Sequence, residues 1–358
     1  MRIKAVKSIC IVIALLIVTA AVSCGAEQGE DNAVKTARFE ENFIGPFDTV
    51  TTLVCYTASQ EEFDKLVSLV RNDLEQYHAL FDFFESHPGI NNIKTINDQA
   101  GKKPVKVDPV IMDFLEQCLW ANEISAGRVN VALGSVLSIW HKLRTEGLDN
   151  PAEARLPTMT ELEEANKHSD INKLEINRQA GTVFLPDPKM SLDVGSGAKG
   201  FACELVVEHA QEEGFESFVI SLGGNVRTVG VKSDSGQKWR IGVKNPDVDA
   251  QQKILDVLEV SDLAIVTSGV YERYYTVNGE RYHHIIDPDT LMPSQYFDSV
   301  TLIAPSSALA DALTTALLNM SYEKGRALLR ELDNCEALWI NDGHRYTTPG
   351  YDELVTGE

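Results

Sequence analysis

The stretch from Phe218 to Ile303 constrains the fold more than any other part of the chain. It holds six β-branched or aromatic segments: Phe218–Leu222, Trp239–Val243, Leu263–Thr267, Tyr271–Val277, Tyr282–Ile286 and Ser299–Ile303. No segment of helical period separates them, so they read as consecutive strands. A doubly wound parallel sheet needs a long crossover, usually a helix, between its strands. A run of strands without such helices excludes it and points to an α+β fold. Helical spacing flanks the run instead, at Gln60–Phe84, Asp108–Ala126, Thr158–His168, Phe201–Glu213, Ser307–Met320 and Tyr322–Leu332. Val50–Thr57 and Glu336–Asn341 add strands, Leu174–Ile176 and Gly181–Leu185 a hairpin, and Asn91–Gly101 reads as a polar loop. No linker divides this pattern, so a single domain of mixed sheets and flanking helices is expected over residues 41–350.

The first residues are of another kind. Arg2, Lys4 and Lys7 precede the apolar run Ile11–Val22, which ends at Ser23 and Cys24. A basic start, a short apolar run and small residues describe an export signal. The run falls short of the roughly 20 residues that span a bilayer. Ala21-Val22-Ser23-Cys24 resembles a lipobox, with Ala in place of the usual Leu. Residues 1–23 are therefore read as a lipoprotein signal peptide. Residues 24–40 are read as the lipidated Cys24 and a polar tether. The expected location is extracytoplasmic, held at the membrane by the lipid.

Charge narrows the ligand. The formal net charge is −21, and removing the three cations of residues 1–23, which hold no acid, takes it to −24. Nucleic acid is excluded as a partner, because phosphates need Lys and Arg. A phosphate-bearing small molecule would need a metal ion or backbone N–H groups to offset the repulsion. Beyond Cys10 and Cys24, the cysteines are Cys55, Cys118, Cys203 and Cys335. None forms a CxxC pair, so zinc-ligand spacing is absent and buried thiols are expected.

Four constellations could carry chemistry. Asp193-Val194-Gly195-Ser196-Gly197-Ala198-Lys199-Gly200 leads into a helix, whose free N–H groups suit phosphate. It equally describes a glycine-rich cap. Leu222-Gly223-Gly224-Asn225 reads as a turn after a buried strand. Thr267-Ser268-Gly269 precedes the pair His283-His284 and Asp287-Pro288, where one histidine could be a base or both could be structural. Asp311 and Thr315 share a helix face at i, i+4, and their hard oxygens suit Mg²⁺. The same residues also fit the start of a core helix.

Taken together, in this order, these motifs resemble the ApbE family of FAD:protein FMN transferases. The resemblance runs from about Phe43 to Leu332 and rests on Asp193–Gly200, Leu222–Asn225, Thr267–Gly269, His284–Pro288 and Ala310–Thr315. It implies an ApbE-like domain that takes FAD as substrate, uses Mg²⁺ and attaches FMN to a Ser or Thr hydroxyl of a target protein, releasing AMP. It further implies that Asp193 and Lys199 contact FAD, that Ile286 and Trp140 line the flavin site, and that His284 is the base. The Ser196 carbonyl, Asp311 and Thr315 would hold Mg²⁺. Phe47 stands where the family has a flavin-contacting Met, within Phe47-Asp48-Thr49. Leu291-Met292 stands where the family has Gly after Asp-Pro-x-Thr. Three alternatives stay open at this level. With water as nucleophile the same site would be an FAD pyrophosphatase. A non-catalytic flavin-binding lipoprotein would need no metal. Finally, Asp193–Lys199 is one residue away from the motif of a flavinylation target, with Ser196 as acceptor.

Overall fold

The computed structural model describes residues 36–356. The expected signal peptide, the expected lipid on Cys24 and the first part of the expected tether fall outside the described residues. No helix among the described residues is long and apolar enough to cross a membrane.

An eight-stranded sheet organises the chain, with helices packed on it. In chain order its strands are β1 (Ala37–Ile44), β2 (Val50–Thr57), β6 (Phe218–Leu222), β7 (Asn225–Val229), β10 (Ala264–Gly269), β13 (Ser299–Ala304), β14 (Glu336–Asn341) and β15 (His344–Thr347). They lie side by side in that same order. Each neighbouring pair is antiparallel. The run from β6 to β13 holds no crossover helix, as such pairing allows, whereas β2 to β6 and β13 to β14 are antiparallel although helices lie between them in the chain. Three smaller sheets complete the β structure: β3 (Val105–Lys106) with β4 (Glu175–Asn177) and β5 (Thr182–Phe184), β8 (Trp239–Lys244) with β9 (Ile254–Val260), and β11 (Tyr274–Val277) with β12 (Glu280–His283). The helices are α1 (Gln60–Phe81), α2 (Ile93–Asp98), α3 (Pro109–Ile124), α4 (Gly134–Asp149), α5 (Met159–Asn166), α6 (Ala198–Glu212), α7 (Ser307–Leu318), α8 (Tyr322–Arg330) and α9 (Tyr351–Leu354).

The sheet is covered on both faces, which explains why every residue of β13 is buried. Val300, Leu302 and Ala304 point to α7 and meet Leu313 and Leu317. Ile303, on the alternate face, joins Ile265, Leu338, Trp239 and Leu258 under the β8–β9 hairpin. Toward the other end, Leu66, Val70 and Leu74 of α1 pack with Leu53 and Cys55 of β2 and Val206 and Val207 of α6. A buried ion pair, Glu204 to Arg227 at 3.2 Å, links α6 to β7. Glu204 also accepts the Ser307 N–H at the start of α7. This fixes α6 and α7 side by side, which sets the geometry of the candidate site.

Three sequence expectations need correction. Asn91–Gly101 is not all loop: α2 starts there, capped reciprocally by Asn92 and Thr95. β1 begins at Ala37, inside the stretch read as tether. Its sequence ARFEENFI is polar because it is an edge strand with most side chains exposed. Residues 254–260, which drew no assignment, form β9. Cys55, Cys118, Cys203 and Cys335 are all free and buried. Burial pushes each thiol above its ordinary value, as expected of small core residues.

Candidate active site

The loop 193–200 joins two groups of side chains. At its start, Asp193 is buried, with one carboxylate oxygen accepting the Gly195 N–H at 3.0 Å. Its other oxygen stands 3.7 Å from His141 Nε2. Burial raises the Asp193 pKa, opposed by the charges of His141, Arg144 and Arg273. Burial also lowers that of His141. Arg144, on α4, is disfavoured as a cation first by burial and then by Arg273. Neither Arg144 nor Arg273 makes an ion pair with a described residue. The charge of Arg273 opposes that of Arg144 and both act on Asp193, which makes a local concentration of positive charge in an acidic chain. Such a place suits an anion.

At the end of the loop, Gly200 lies in the first turn of α6 and donates its N–H to Asp311 Oδ2 at 2.7 Å. A Cβ on Gly200 would stand 2.3 Å from the Asp311 Cβ and 2.4 Å from the Ser307 carbonyl. Only glycine permits this approach of α6 to α7. Asp311 is 5% exposed, and its Oδ1 has no hydrogen-bond partner among the described residues. Thr315 follows one turn later and is half-buried, its hydroxyl free of any hydrogen bond to a described residue. Ser196 and Gly197 line a small cavity together with Ala312, and a Cβ on Gly197 would stand 3.8 Å from the Ala312 Cα, which brings this end of the loop against α7. A carboxylate oxygen, a hydroxyl and a carbonyl make an all-oxygen donor set that fits a hard divalent cation. Ser268 Oγ donates to Thr314 Oγ1 at 2.9 Å, tying β10 to the same helix.

The histidine pair separates by its hydrogen bonds. His283 Nε2 meets the Ser294 carbonyl at 2.8 Å, and its Nδ1 accepts the Ile285 N–H at 3.3 Å. Both nitrogens are therefore used structurally. His284 Nδ1 meets the Arg273 carbonyl at 3.1 Å. A carbonyl can only accept, so Nδ1 carries the proton and Nε2 presents its lone pair. Burial and the neighbouring Arg273 hold the His284 pKa down at about 3. The bare nitrogen has the geometry of a general base, while burial and Arg273 weaken it as a proton acceptor; negative charge bound beside it would favour the cation and restore its basicity.

The remaining residues implied by the resemblance are placed as follows. Trp140 and Ile286 are buried in one apolar cluster with Leu291. Trp140 Nε1 donates to the Leu291 carbonyl at 3.0 Å, so its polar edge is spent on the loop after Asp287. Leu291 adopts φ +61, the left-handed conformation that glycine takes without strain. Its buried side chain compensates by packing on Trp140. Lys199 is half-buried beside Gly200 and makes no ion pair with a described residue. Phe47 packs on the apolar cluster that includes Val194 and Ala198 of the loop; it is also left-handed at φ +58, with its N–H on His78 Nδ1 at 3.2 Å. Gly223 and Gly224 turn β6 into β7 with φ +58 and +92, and a Cβ on Gly223 would strike Thr49 Oγ1 at 2.2 Å.

Reasoning from sequence gave no role to His141, Arg144, Arg273 or Phe84, although Arg273 closes the segment Thr267–Arg273 and His141 and Arg144 are neighbours of Trp140. Phe84 is 60% exposed and its ring centroid lies 6.0 Å from that of His141. The arginines lie far apart in sequence. A local signal was His141-Lys142-Leu143-Arg144, a basic cluster in an acidic chain.

Comparison with known proteins gives a consistent result. A family model described as the ApbE family matches residues 47–339. A protein of Treponema pallidum named FAD:protein FMN transferase is 37% identical over 261 residues, 69% of this chain and 70% of its own length. A Klebsiella pneumoniae protein of the same name is 32% identical over 251 residues, 70% of this chain and 75% of its own. Among solved structures, the ApbE protein of Thermotoga maritima superposes with a TM-score of 0.77 at 27% identity, covering 90% of this chain and 100% of its own. The flavin transferase ApbE of Vibrio cholerae gives 0.73 at 25% identity, with 89% and 99% covered.

Proposed function

Because the chain belongs to the ApbE family, we propose that it is an FAD:protein FMN transferase acting on a Ser or Thr hydroxyl of a target protein. The observation that carries this reading is the loop 193–200. It ends on Asp311, with an open carboxylate oxygen, and begins at Asp193 among Arg144 and Arg273. That pairing of a hard-cation donor set with two arginines complements a pyrophosphate, which is what joins the two halves of FAD.

Asp311, Thr315 and the Ser196 carbonyl would hold Mg²⁺, which when bound offsets the pyrophosphate charge and that of the departing AMP. Arg144 and Arg273 hold the phosphate oxygens through charge-assisted hydrogen bonds. Lys199 adds a cation to that hold; the N–H groups of Gly197, Ala198, Gly200 and Phe201 at the start of α6 are already spent on protein acceptors. Phe84 and Phe47 offer aromatic faces to the flavin end. The target hydroxyl oxygen bonds to the phosphorus of the FMN half as the bond from that phosphorus to the bridging oxygen breaks. His284 Nε2 takes the hydroxyl proton, and AMP leaves with the bridging oxygen. Positioning and charge stabilisation carry most of the rate in such a transfer.

Hydrolysis would use the same residues with water as nucleophile. Incubation with FAD and Mg²⁺, with and without a peptide bearing a Ser/Thr acceptor, separates the two. FMN recovered on the peptide supports transfer; free FMN at equal rate in both tubes supports hydrolysis. Arg144→Met and Arg273→Met are each expected to raise KM for FAD roughly 10–100-fold, since a hydrogen bond to a charged group contributes about 1.5–3 kcal/mol. Unchanged KM in both variants would remove the arginines from the site. The export-signal pattern of residues 1–23 and Cys24 support a reaction outside the cytoplasm. A Cys24→Ser chain should leave the membrane fraction; retention there would contradict the lipid anchor.

A further inference from the structure

A second constellation lies at the end of α1, outside the loop 193–200. His78 lies in the last turn of α1, Asp82 is the residue that ends it, and His87 follows in the next loop. One ligand atom from each lies within 4.8 Å of the others. Asp82 Oδ2 stands 2.9 Å from His87 Nε2. Its other oxygen accepts the N–H groups of Phe84 and Glu85 at 2.8 and 2.9 Å. These two bonds fix the carboxylate as outer contacts fix a metal ligand. The His78 and His87 rings meet edge-on with centroids 6.0 Å apart. All three side chains are half-buried.

Two imidazoles and a carboxylate are borderline donors of the kind that zinc-class ions take, with a fourth position left for water. Ligand atoms about 2.0–2.1 Å from such an ion stand roughly 3.4 Å apart in a tetrahedron. The Asp82–His87 edge is already near that figure. Magnesium, which prefers oxygen alone, suits the Asp311 set instead.

His78 Nδ1 also accepts the N–H of Phe47. An ion bound through Nδ1 takes that lone pair directly. An ion bound through Nε2 forces the ring proton onto Nδ1, which then faces another donor. By either route the Phe47 N–H loses its acceptor, and Phe47 is a left-handed, non-glycine residue that needs its contacts to stay in place.

We propose that His78, Asp82 and His87 bind one zinc-class divalent ion, distinct from the Asp311 set, and that its binding releases the backbone of Phe47. The consequence for FAD rests on the reading of Phe47 as a flavin contact; the metal site does not.

The test uses the full chain in detergent, stripped with EDTA and titrated with Co²⁺ and then Zn²⁺. One equivalent of Co²⁺ should give the strong visible absorption of a tetrahedral nitrogen-containing site, displaced by Zn²⁺. His87→Gln and, separately, Asp82→Asn should weaken Zn²⁺ binding by about a hundredfold or more, since even outer contacts to a metal site carry 10–100-fold. Both variants should keep the far-ultraviolet circular dichroism of the parent. Asp311→Asn should retain the signal. Zinc should change the FAD dissociation constant of the parent and not that of His87→Gln. The metal site is overturned if the parent shows only the weak spectrum of oxygen-ligated Co²⁺, or if both variants bind Zn²⁺ as the parent does. The release of Phe47 is overturned if saturating Zn²⁺ leaves FAD affinity unchanged in a parent that binds it.

Discussion

Replacing Asp311 with Asn is expected to lower FMN transfer by on the order of a thousandfold or more, because positioned charge at a phosphoryl centre contributes several kcal/mol. The substitution isolates the charge. Asn keeps an oxygen that can accept the Gly200 N–H, so the contact between α6 and α7 survives. What it removes is the negative oxygen that no described residue satisfies, beside Thr315 on the same helix face. A metal held by a carboxylate, a hydroxyl and a carbonyl loses its one charged ligand. The variant should melt as the parent does without Mg²⁺, and Mg²⁺ should add nothing to the stability that FAD alone gives it, since only a bound ligand stabilises the fold. Asp311→Ala gives the same kinetic loss but also leaves the buried Gly200 N–H unpaired, at a cost of about 1–3 kcal/mol. Transfer at the parent rate by Asp311→Asn, after EDTA treatment, would remove Asp311 as metal ligand.

His284→Gln is expected to lower kcat by about 10²–10⁴, the range of a single general base, with FAD affinity within a few-fold of the parent. Loss of FAD binding instead would make His284 structural, like His283. The pH dependence follows from the direction of the shift. Burial and Arg273 disfavour the cation, so the folded imidazole resists protonation down to about 3. An unfolded histidine takes a proton at about 6.5. As pH falls through that value the unfolded chain gains protons that the folded one refuses, and stability declines. Above it both forms are neutral and His284 contributes no pH dependence. The parent should therefore lose stability below about pH 6.5 more steeply than His284→Gln. In kinetics, kcat/KM of the parent should not fall with a midpoint near 6.5 on the acid side. A clean midpoint there that disappears in His284→Gln would show an ordinary, accessible histidine.

The sequence makes parts of this account legible and hides others, for physical reasons. The run of strands from Phe218 to Ile303 is legible as β structure, and Gly223-Gly224 as a turn whose residues take positive φ, but the strand after it, β7, is not read from the sequence. Asp311 and Thr315 are visible through helical spacing alone. His283 and His284 cannot be told apart from sequence, since their roles depend on carbonyls contributed by Ser294 and Arg273. Arg144 and Arg273 lie on α4 and just before β11, and only the fold brings both to Asp193. Trp140 shows the reverse case. A tryptophan in a matched segment invites a ligand role, yet its indole N–H is used on Leu291. Leu291 in turn holds a glycine-like backbone that sequence alone could mark only as a departure from the family.

The most direct test of the central claim is the intact mass of an acceptor peptide. It is incubated with the full chain and FAD, with Mg²⁺ or with EDTA, and with the parent or Asp311→Asn. The account predicts a peptide heavier by one FMN phosphoester on Ser or Thr, equimolar AMP, and neither product with EDTA or with the variant. An unmodified peptide beside accumulating free FMN in the Mg²⁺ sample would contradict transfer, and modification that persists with EDTA and Asp311→Asn would contradict the metal site.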